Sequence, residues 1–319
     1  TTCAIARTGP GDAGLPATLC PVRKVQEPMP SQPSSARVVV VTGASSGVGH
    51  ATAVAFAQTR AAVVLAARSA EALEAVARAC RAAGGAALAV PTDVSDADQV
   101  EQLAGAALAQ FGRIDLWVNN AGVAALGRFE EVPLRDHARV IQTDLLGTIY
   151  GSSVALRHFR ARGGGTLINV ASVLGEIPAP YYASYVAAKH GIVGLGAALR
   201  QELAENDAPN IHVCTVLPMA METPFFAPAA NYTGHEATPI PPVYDPQVAV
   251  DAILRLAEEP EAEVVAGGAG KVVAALHAVA AGVTEKFMGA ETQRVQMTAA
   301  PPAPPTTGNL YTPSARVPA

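Results

Sequence analysis

Val38-Val39-Val40-Val41-Thr42-Gly43-Ala44-Ser45-Ser46-Gly47-Val48-Gly49 decides the fold of this chain. Four consecutive valines read as a strand buried on both faces, which is the habit of parallel sheets. A glycine-rich turn follows, and then a helical pattern over 47–59. Strand, turn and helix in this order form a dinucleotide site. A pyrophosphate must approach the turn closely, where a Cβ would obstruct it, and the helix start offers free N–H groups and its positive end. A plain tight turn would also use glycine, but would not need this place between strand and helix.

Outward from this stretch the pattern repeats. Apolar runs at 62–66, 87–90, 114–118, 166–171, 211–217 and 263–266 read as further strands. Helical patterns at 70–83, 96–111, 135–161, 183–205 and 247–258 separate them, and a last one covers 269–289. Alternating βα units imply an α/β fold: one doubly wound parallel sheet of about seven strands with helices on both faces. Prolines cluster in 1–36, 218–246 and 298–319. The first and last stretches lack hydrophobic periodicity and read as disordered tails. The expected organisation is a tail over 1–36, one domain over 37–290 with a substrate lid at about 219–246, and a Pro-rich tail over 291–319. Met29 stands at a natural distance before the first strand, so the native chain is expected to start near it. N-terminal sequencing from the host tests that.

Composition excludes several classes. The chain has 319 residues, half of them hydrophobic and 15% charged, with a net charge of -5. That is globular and offers no basic run for nucleic acid. Cys3, Cys20, Cys80 and Cys214 include no Cys-x-x-Cys pair, which suits reduced thiols in a reducing compartment, read as cytoplasmic. No uninterrupted apolar run reaches bilayer length; the nearest, 272–283, contains His277 and reads as a packed or partly exposed amphipathic helix without stable membrane insertion. The histidines are scattered without metal-site spacing, so no metal is expected. Ser172 does not sit in a Gly-x-Ser-x-Gly elbow.

The chemistry is written in Tyr185-Val186-Ala187-Ala188-Lys189, with Ser172 upstream. Residues i and i+4 share a helix face, and an ammonium beside a phenol favours the phenolate. Tyr-x-x-x-Lys alone is a weak signal. Together with the glycine-rich turn it resembles the classical short-chain dehydrogenase/reductase superfamily, over about 37–268. Further marks stand in family order: Asp93 after the third strand, Asn119-Asn120-Ala121-Gly122 after the fourth, and Pro218 with Thr223 after the sixth.

The resemblance implies a Rossmann-like fold and a nicotinamide cofactor. Gly43, Ser45, Ser46, Gly47, Val48 and Gly49 would cradle the pyrophosphate. Asp93 and Val94 would cap the adenine; Asp93 could instead, or also, cap the helix near 95–97. Asn120, Ala121 and Gly122 would line the ribose side, and Pro218 and Thr223 would reach the nicotinamide. Met219 replaces the glycine usual after this proline. At the end of the second strand, Leu65-Ala66-Ala67-Arg68-Ser69 has no acid to bind a ribose 2′-hydroxyl. Arg68 can pair with a 2′-phosphate, which places NADP(H) ahead of NAD(H). A surface arginine starting the next helix is the other reading.

In the family's chemistry Tyr185 exchanges the proton, Ser172 holds the same oxygen, and Lys189 lowers the Tyr185 pKa and grips the nicotinamide ribose. Tyr181 and Tyr182 lack a lysine at i+4 and read as cleft or packing residues. Asp144 stands where the family usually has asparagine, and its backbone carbonyl would hold a relay water. A carboxylate there is expected to raise the Lys189 pKa, which leaves a tolerated variant, a retuned relay or a weakened enzyme open.

The lid carries Phe225, Phe226, Tyr232 and Tyr244 with little charge. It points to a small apolar ketone, aldehyde or alcohol, unless those rings pack on their own protein. A homodimer or homotetramer through the helices at 135–161 and 183–205 is implied by the resemblance. The expected function is NADP(H)-dependent carbonyl–alcohol interconversion. A catalytically weak NADP(H)-sensing protein is one alternative; a scaffold using the Pro-x-x-Pro spacing in 301–305 is another.

Overall fold

The computed structural model describes residues 36–313. The expected tail over 1–36 lies, but for Ala36, outside them. Seven strands form one parallel sheet: β1 (Val38–Thr42), β2 (Ala62–Ala67), β3 (Ala86–Pro91), β4 (Leu116–Asn119), β5 (Gly165–Val170), β6 (Ile211–Pro218) and β7 (Glu263–Ala266). Their spatial order is β7-β6-β5-β4-β1-β2-β3. The order reverses between β1 and β4, and the crevice at a reversal is where α/β sheets bind ligands.

Helices cover both faces: α1 (Gly47–Gln58), α2 (Ala70–Ala82), α3 (Ala97–Phe111), α4 (Leu134–Ile141), α5 (Gly147–Arg162), α6 (Ala183–Glu205) and α7 (Gln247–Glu258), with a long α8 (Gly268–Gln293) after β7. The valines of β1 show why the fold forms. Val39 and Val41 pack with α1, α2 and α7 residues such as Phe56, Leu73 and Ile253. Val38 and Val40 face Leu103, Phe159 and Trp117 on the other side. Alternating side chains of one strand thus serve two cores, so the whole run must be apolar.

The expected helix over 135–161 is three pieces. Between α4 and α5 the chain takes a π-helical turn, Gln142–Leu146, which holds Asp144. Such turns inside helices mark functional places, and this one carries a residue of the site.

One further expectation needs correction. Residues 291–313 are no disordered tail. A π-helical turn, Arg294–Ala299, continues α8, and the segment after it runs along the lid. Every third N–H donates to a lid carbonyl: Ala303 to Gly234, Thr306 to Asn231 and Asn309 to Pro228. Leu310 is fully buried against Val123, Val132, Val140 and Ala230. Proline signalled disorder by composition, but the residues between prolines supply the donors. The Pro-x-x-Pro tract at 301–305 is held by its own chain, since Glu236 N–H donates to Pro301 O.

The helix α8 contains the 272–283 stretch. By length and composition the helical stretch Gly268–Ala299 could cross a membrane, with mean hydropathy 1.2 and 6% of the window buried. Val272, Leu276, Val279, Val283 and Phe287 are exposed. Val273, Ala274 and Met288 pack under the lid. Ala280 departs from helical geometry (φ −146°, ψ 54°), so α8 is kinked there.

Candidate active site

The carboxyl ends of β1, β4, β5 and β6 open into a cavity of about 680 Å³. Gly43, Ser45, Ser46, Gly47, Val48, Arg68, Asp93, Val94, Asn120, Ala121, Gly122, Ser172, Tyr185, Lys189, Pro218 and Thr223 all line it. Gly49 and Asp144 stand just behind the wall. Eight segments of chain thus meet around one cavity.

The turn after β1 is held by the loop after β4. Asn120 and Ala121 N–H both donate to the Thr42 hydroxyl, at 3.0 and 3.1 Å. The Asn120 amide donates to Thr42 O at 3.0 Å. Gly43 has φ +68°, and a Cβ on it would meet Ala121 Cα at 2.7 Å. A Cβ on Gly49 would lie 2.4 Å from both Asn120 Nδ2 and Gly43 O. Ser46 gives α1 no side-chain cap, so the first amides of that helix remain for an anion. These residues fit a dinucleotide pyrophosphate.

At the end of the cavity beside β2 and β3, Asp93 accepts from Ser95 Oγ at 2.7 Å and Ser95 N–H at 3.1 Å. It also receives the Arg139 guanidinium at 2.5 Å. Burial opposes ionisation of Asp93, but Arg139 and Ser95 outweigh it and hold the carboxyl below its ordinary value. Asp93 does not cap α3: Asp96 does, accepting from Asp98 and Gln99 N–H. Ser69 caps α2 and leaves Arg68 free to turn into the cleft. There Arg68 donates to Leu310 O at 2.9 Å and Asn309 O at 2.6 Å. Arg139 also donates to Leu310 O, at 3.0 Å. Arg139 escaped the sequence reading, since nothing local on α4 pairs it with Asp93. The Leu310-Tyr311 pair, apolar within a Pro-rich tract, was the signal that the segment docks.

At the other end, Ser172 accepts from Leu174 N–H at 3.1 Å and starts a short turn, which fixes its hydroxyl at the end of β5. α6 brings Tyr185 and Lys189 onto one face. Lys189 Nζ donates to Val170 O at 3.0 Å and lies 5.4 Å from the Tyr185 ring centre. Asp144 is fully buried. Its Oδ1 accepts from Val123 N–H at 2.8 Å, and its Oδ2 stands 3.8 Å from Lys189 Nζ. That oxygen has no hydrogen-bond partner. Burial lifts the Asp144 carboxyl to about 6, with Lys189 and Val123 N–H pulling it down. Its backbone carbonyl receives the Thr148 hydroxyl at 2.7 Å.

The electrostatics correct one expectation. Lys189 does not depress the Tyr185 pKa here. Burial, and then the Asp144 charge, push the phenol up, while a hydrogen bond with Ser172 opposes them. Burial lowers Lys189 in turn, and Asp144 raises it, as expected. In this crowded site desolvation outweighs the charge of one neighbour.

The lid residues divide. Phe225 and Phe226 line the cavity, and Phe225 lies 5.7 Å from the Tyr185 ring. Tyr232 instead donates to buried Asp136, and the Tyr244 hydroxyl accepts from Ala269 N–H. Tyr182 lines the cavity with its hydroxyl accepting from Gln296 at 2.8 Å; Tyr181 donates to Gln293. Met219 takes the place of the usual glycine with its N–H on Ala266 O, its side chain against Gly267 and Gly270.

A family model described as short chain dehydrogenase matches residues 37–232. An uncharacterised oxidoreductase, YxnA of Bacillus subtilis, is 35% identical over 79% of this chain and 71% of its own. A cis-4-hydroxycyclohexanecarboxylate dehydrogenase of Sinomonas cyclohexanicum is 40% identical over 78% of this chain and 96% of its own. A Burkholderia phymatum short-chain dehydrogenase/reductase solved with NAD superposes with TM-score 0.70 at 26% identity, covering 78% of this chain and 95% of that one. An alcohol dehydrogenase from Thermococcus sibiricus, complexed with 5-hydroxy-NADP, gives 0.62 at 26%, covering 72% and 96%. With the glycine cradle, the sheet order and these matches in hand, the chain belongs to the short-chain dehydrogenase/reductase family, oxidoreductases that work between hydroxyl and carbonyl groups.

Proposed function

We propose that this protein is an NADP(H)-dependent oxidoreductase interconverting a small apolar ketone or aldehyde and its alcohol at Ser172, Tyr185 and Lys189. The observation that carries this is their convergence on one cavity with the glycine cradle. A bound nicotinamide supplies or takes up hydride. Tyr185 gives the proton to the nascent alkoxide oxygen in reduction, or removes it in oxidation. The Ser172 hydroxyl donates to the same oxygen and stabilises its developing charge. Lys189, held by Val170 O and faced by Asp144, places its amine beside the phenol.

Arg68 at the end of β2, with no carboxylate beside it there, supports NADP(H) over NAD(H). The charged residues lining the cavity are Arg68, Asp93 and Lys189. Its lid half is built from Leu174, Ile177, Met221, Phe225, Phe226 and Ile240, which supports an apolar substrate over a sugar or phosphate. The Sinomonas relative is named for a ring alcohol with a carboxylate; among the described residues no cation lines the lid half to meet such a group. We read the enzyme as a cytoplasmic homodimer or homotetramer. Gly191 and Gly196 are explained by packing within the subunit, against Leu145 and Thr215, whereas Gly194 faces open space on α6.

The test is NADPH consumption against apolar cyclic and aromatic ketones, sugars and phosphorylated carbonyls. Turnover confined to the first group supports the reading; preference for sugars or phosphorylated carbonyls sinks it. A catalytically weak NADP(H)-sensing protein is the second reading. One observation favours it: Asp144 raises the Tyr185 pKa where activation would lower it.

A further inference from the structure

The segment at 306–311 crosses the adenosine end of the cleft. Its route is fixed at both sides. Thr306 and Asn231 exchange backbone hydrogen bonds at 2.9 and 2.8 Å, and Asn309 N–H donates to Pro228 O at 2.7 Å. Beyond the crossing, Leu310 is buried. The Tyr311 hydroxyl donates to Asp136 at 2.7 Å, and the Arg139 guanidinium lies 6.0 Å from the Tyr311 ring centre. In between, the carbonyls of Asn309 and Leu310 both receive the Arg68 guanidinium. Asn309 and Pro313 themselves line the cavity.

Two carbonyls side by side offer a guanidinium fork what two phosphate oxygens would offer it, without the charge. We propose that residues 306–311 form a strap that competes with the cofactor's 2′-phosphate for Arg68, and so set the choice between NADP(H) and NAD(H). The proposal rests on the reading of Arg68 as the phosphate-binding residue. With the strap closed, the Arg68 hydrogen bonds are spent on the protein's own backbone. NADP(H) must draw Arg68 away from Asn309 O and Leu310 O, whereas NAD(H) has no 2′-phosphate and leaves that pair in place. Asp93, on the other side of the crossing, is already satisfied by Ser95 and Arg139 and does not replace the lost partner.

The test measures binding, not turnover. NADPH and NADH affinities are read from cofactor fluorescence for the full chain, for a chain ending at Pro305, and for Leu310→Asp, which unseats the strap while keeping its length. Each is made with Arg68 and with Arg68→Ala. Melting temperatures confirm that the variants fold. Freeing Arg68 is expected to tighten NADPH about tenfold, the worth of a charge-assisted hydrogen bond, and to change NADH by less than about twofold. Arg68→Ala is expected to erase that gain. Equal gains for both cofactors would overturn the proposal, because the strap would then merely obstruct the adenosine. Weaker NADPH binding on opening would also overturn it, because the strap would then be a wall of the site. If Arg68→Ala leaves NADPH affinity unchanged in every background, the assignment of Arg68 to the phosphate fails; a gain that survives Arg68→Ala leaves the strap an obstruction of another kind.

Discussion

The two ends of the cleft are built by opposite strategies. At the proton-transferring end, Asp144, Tyr185 and Lys189 sit on consecutive pieces of one helical layer, and the partners of Lys189 are Val170 O and one carboxylate. At the adenosine end, Arg68, Asp93 and Arg139 come from three separate elements and are joined by a segment from far along the chain. At the first end burial is the largest influence on the pKa values. The second is partly open, and hydrogen bonds set its charges: Asp93 is held ionised by Arg139 and Ser95 against its own burial. A substitution at the first end should therefore show in rates and pH profiles. A substitution at the second should show in cofactor affinity.

Lys189→Met breaks the electrostatics of the first end. It removes the cation from a buried carboxylate and from the phenol, and kcat should fall about a hundredfold, the scale of one acid–base participant. A fall in affinity alone, with kcat kept, would place Lys189 in cofactor binding only. Gly43→Ala tests the cradle between the ends. It combines φ +68° with a contact at 2.7 Å, and should cost about 2 kcal/mol of stability and weaken both cofactors. Gly84→Ala is its control, with φ +100° and open space around it. The control should cost less, and leave cofactor binding intact. Equal damage would mean that strain, and not the closeness of Ala121, makes the cradle need glycine.

Arg68→Asp sharpens the comparison at the second end. The ratio of NADPH to NADH affinity should fall about tenfold, with kcat for the preferred cofactor changed much less. Asp144→Asn has the smallest expected effect. The carboxylate raises both Tyr185 and Lys189, so its removal lowers both pKa values. The alkaline limb of the kcat/KM profile should move to lower pH, and activity near neutrality should stay similar or rise. Any inflection near pH 6 from Asp144 itself should vanish. A collapse of activity would show that the carboxylate takes part.

What could be read from the chain follows the range of the forces involved. The β1 turn was legible because buried valines, glycine and helix start are neighbours in sequence. Tyr185 and Lys189 were legible because one helical turn joins them. Asp144 was legible as a departure from the family pattern, but not its π-helical turn, which interrupts a helix whose sequence pattern runs on. The sign of the Tyr185 shift was misread because a single charged neighbour was weighed without the burial around it. The ordering of 300–313 was hidden because its hydrogen bonds reach back to 228–236, and proline content reports only local tendencies. Arg139 was hidden for the same reason: its partners lie on other elements.

The most direct test of the account is turnover in Tyr185→Phe beside wild type, with NADPH affinity measured on the same samples. The account predicts turnover lower by about a thousandfold, with affinity within about twofold, because the phenol moves a proton and is not needed to hold the phosphates. Turnover surviving in Tyr185→Phe would contradict it, and would place the proton with a group other than the one this site was built around.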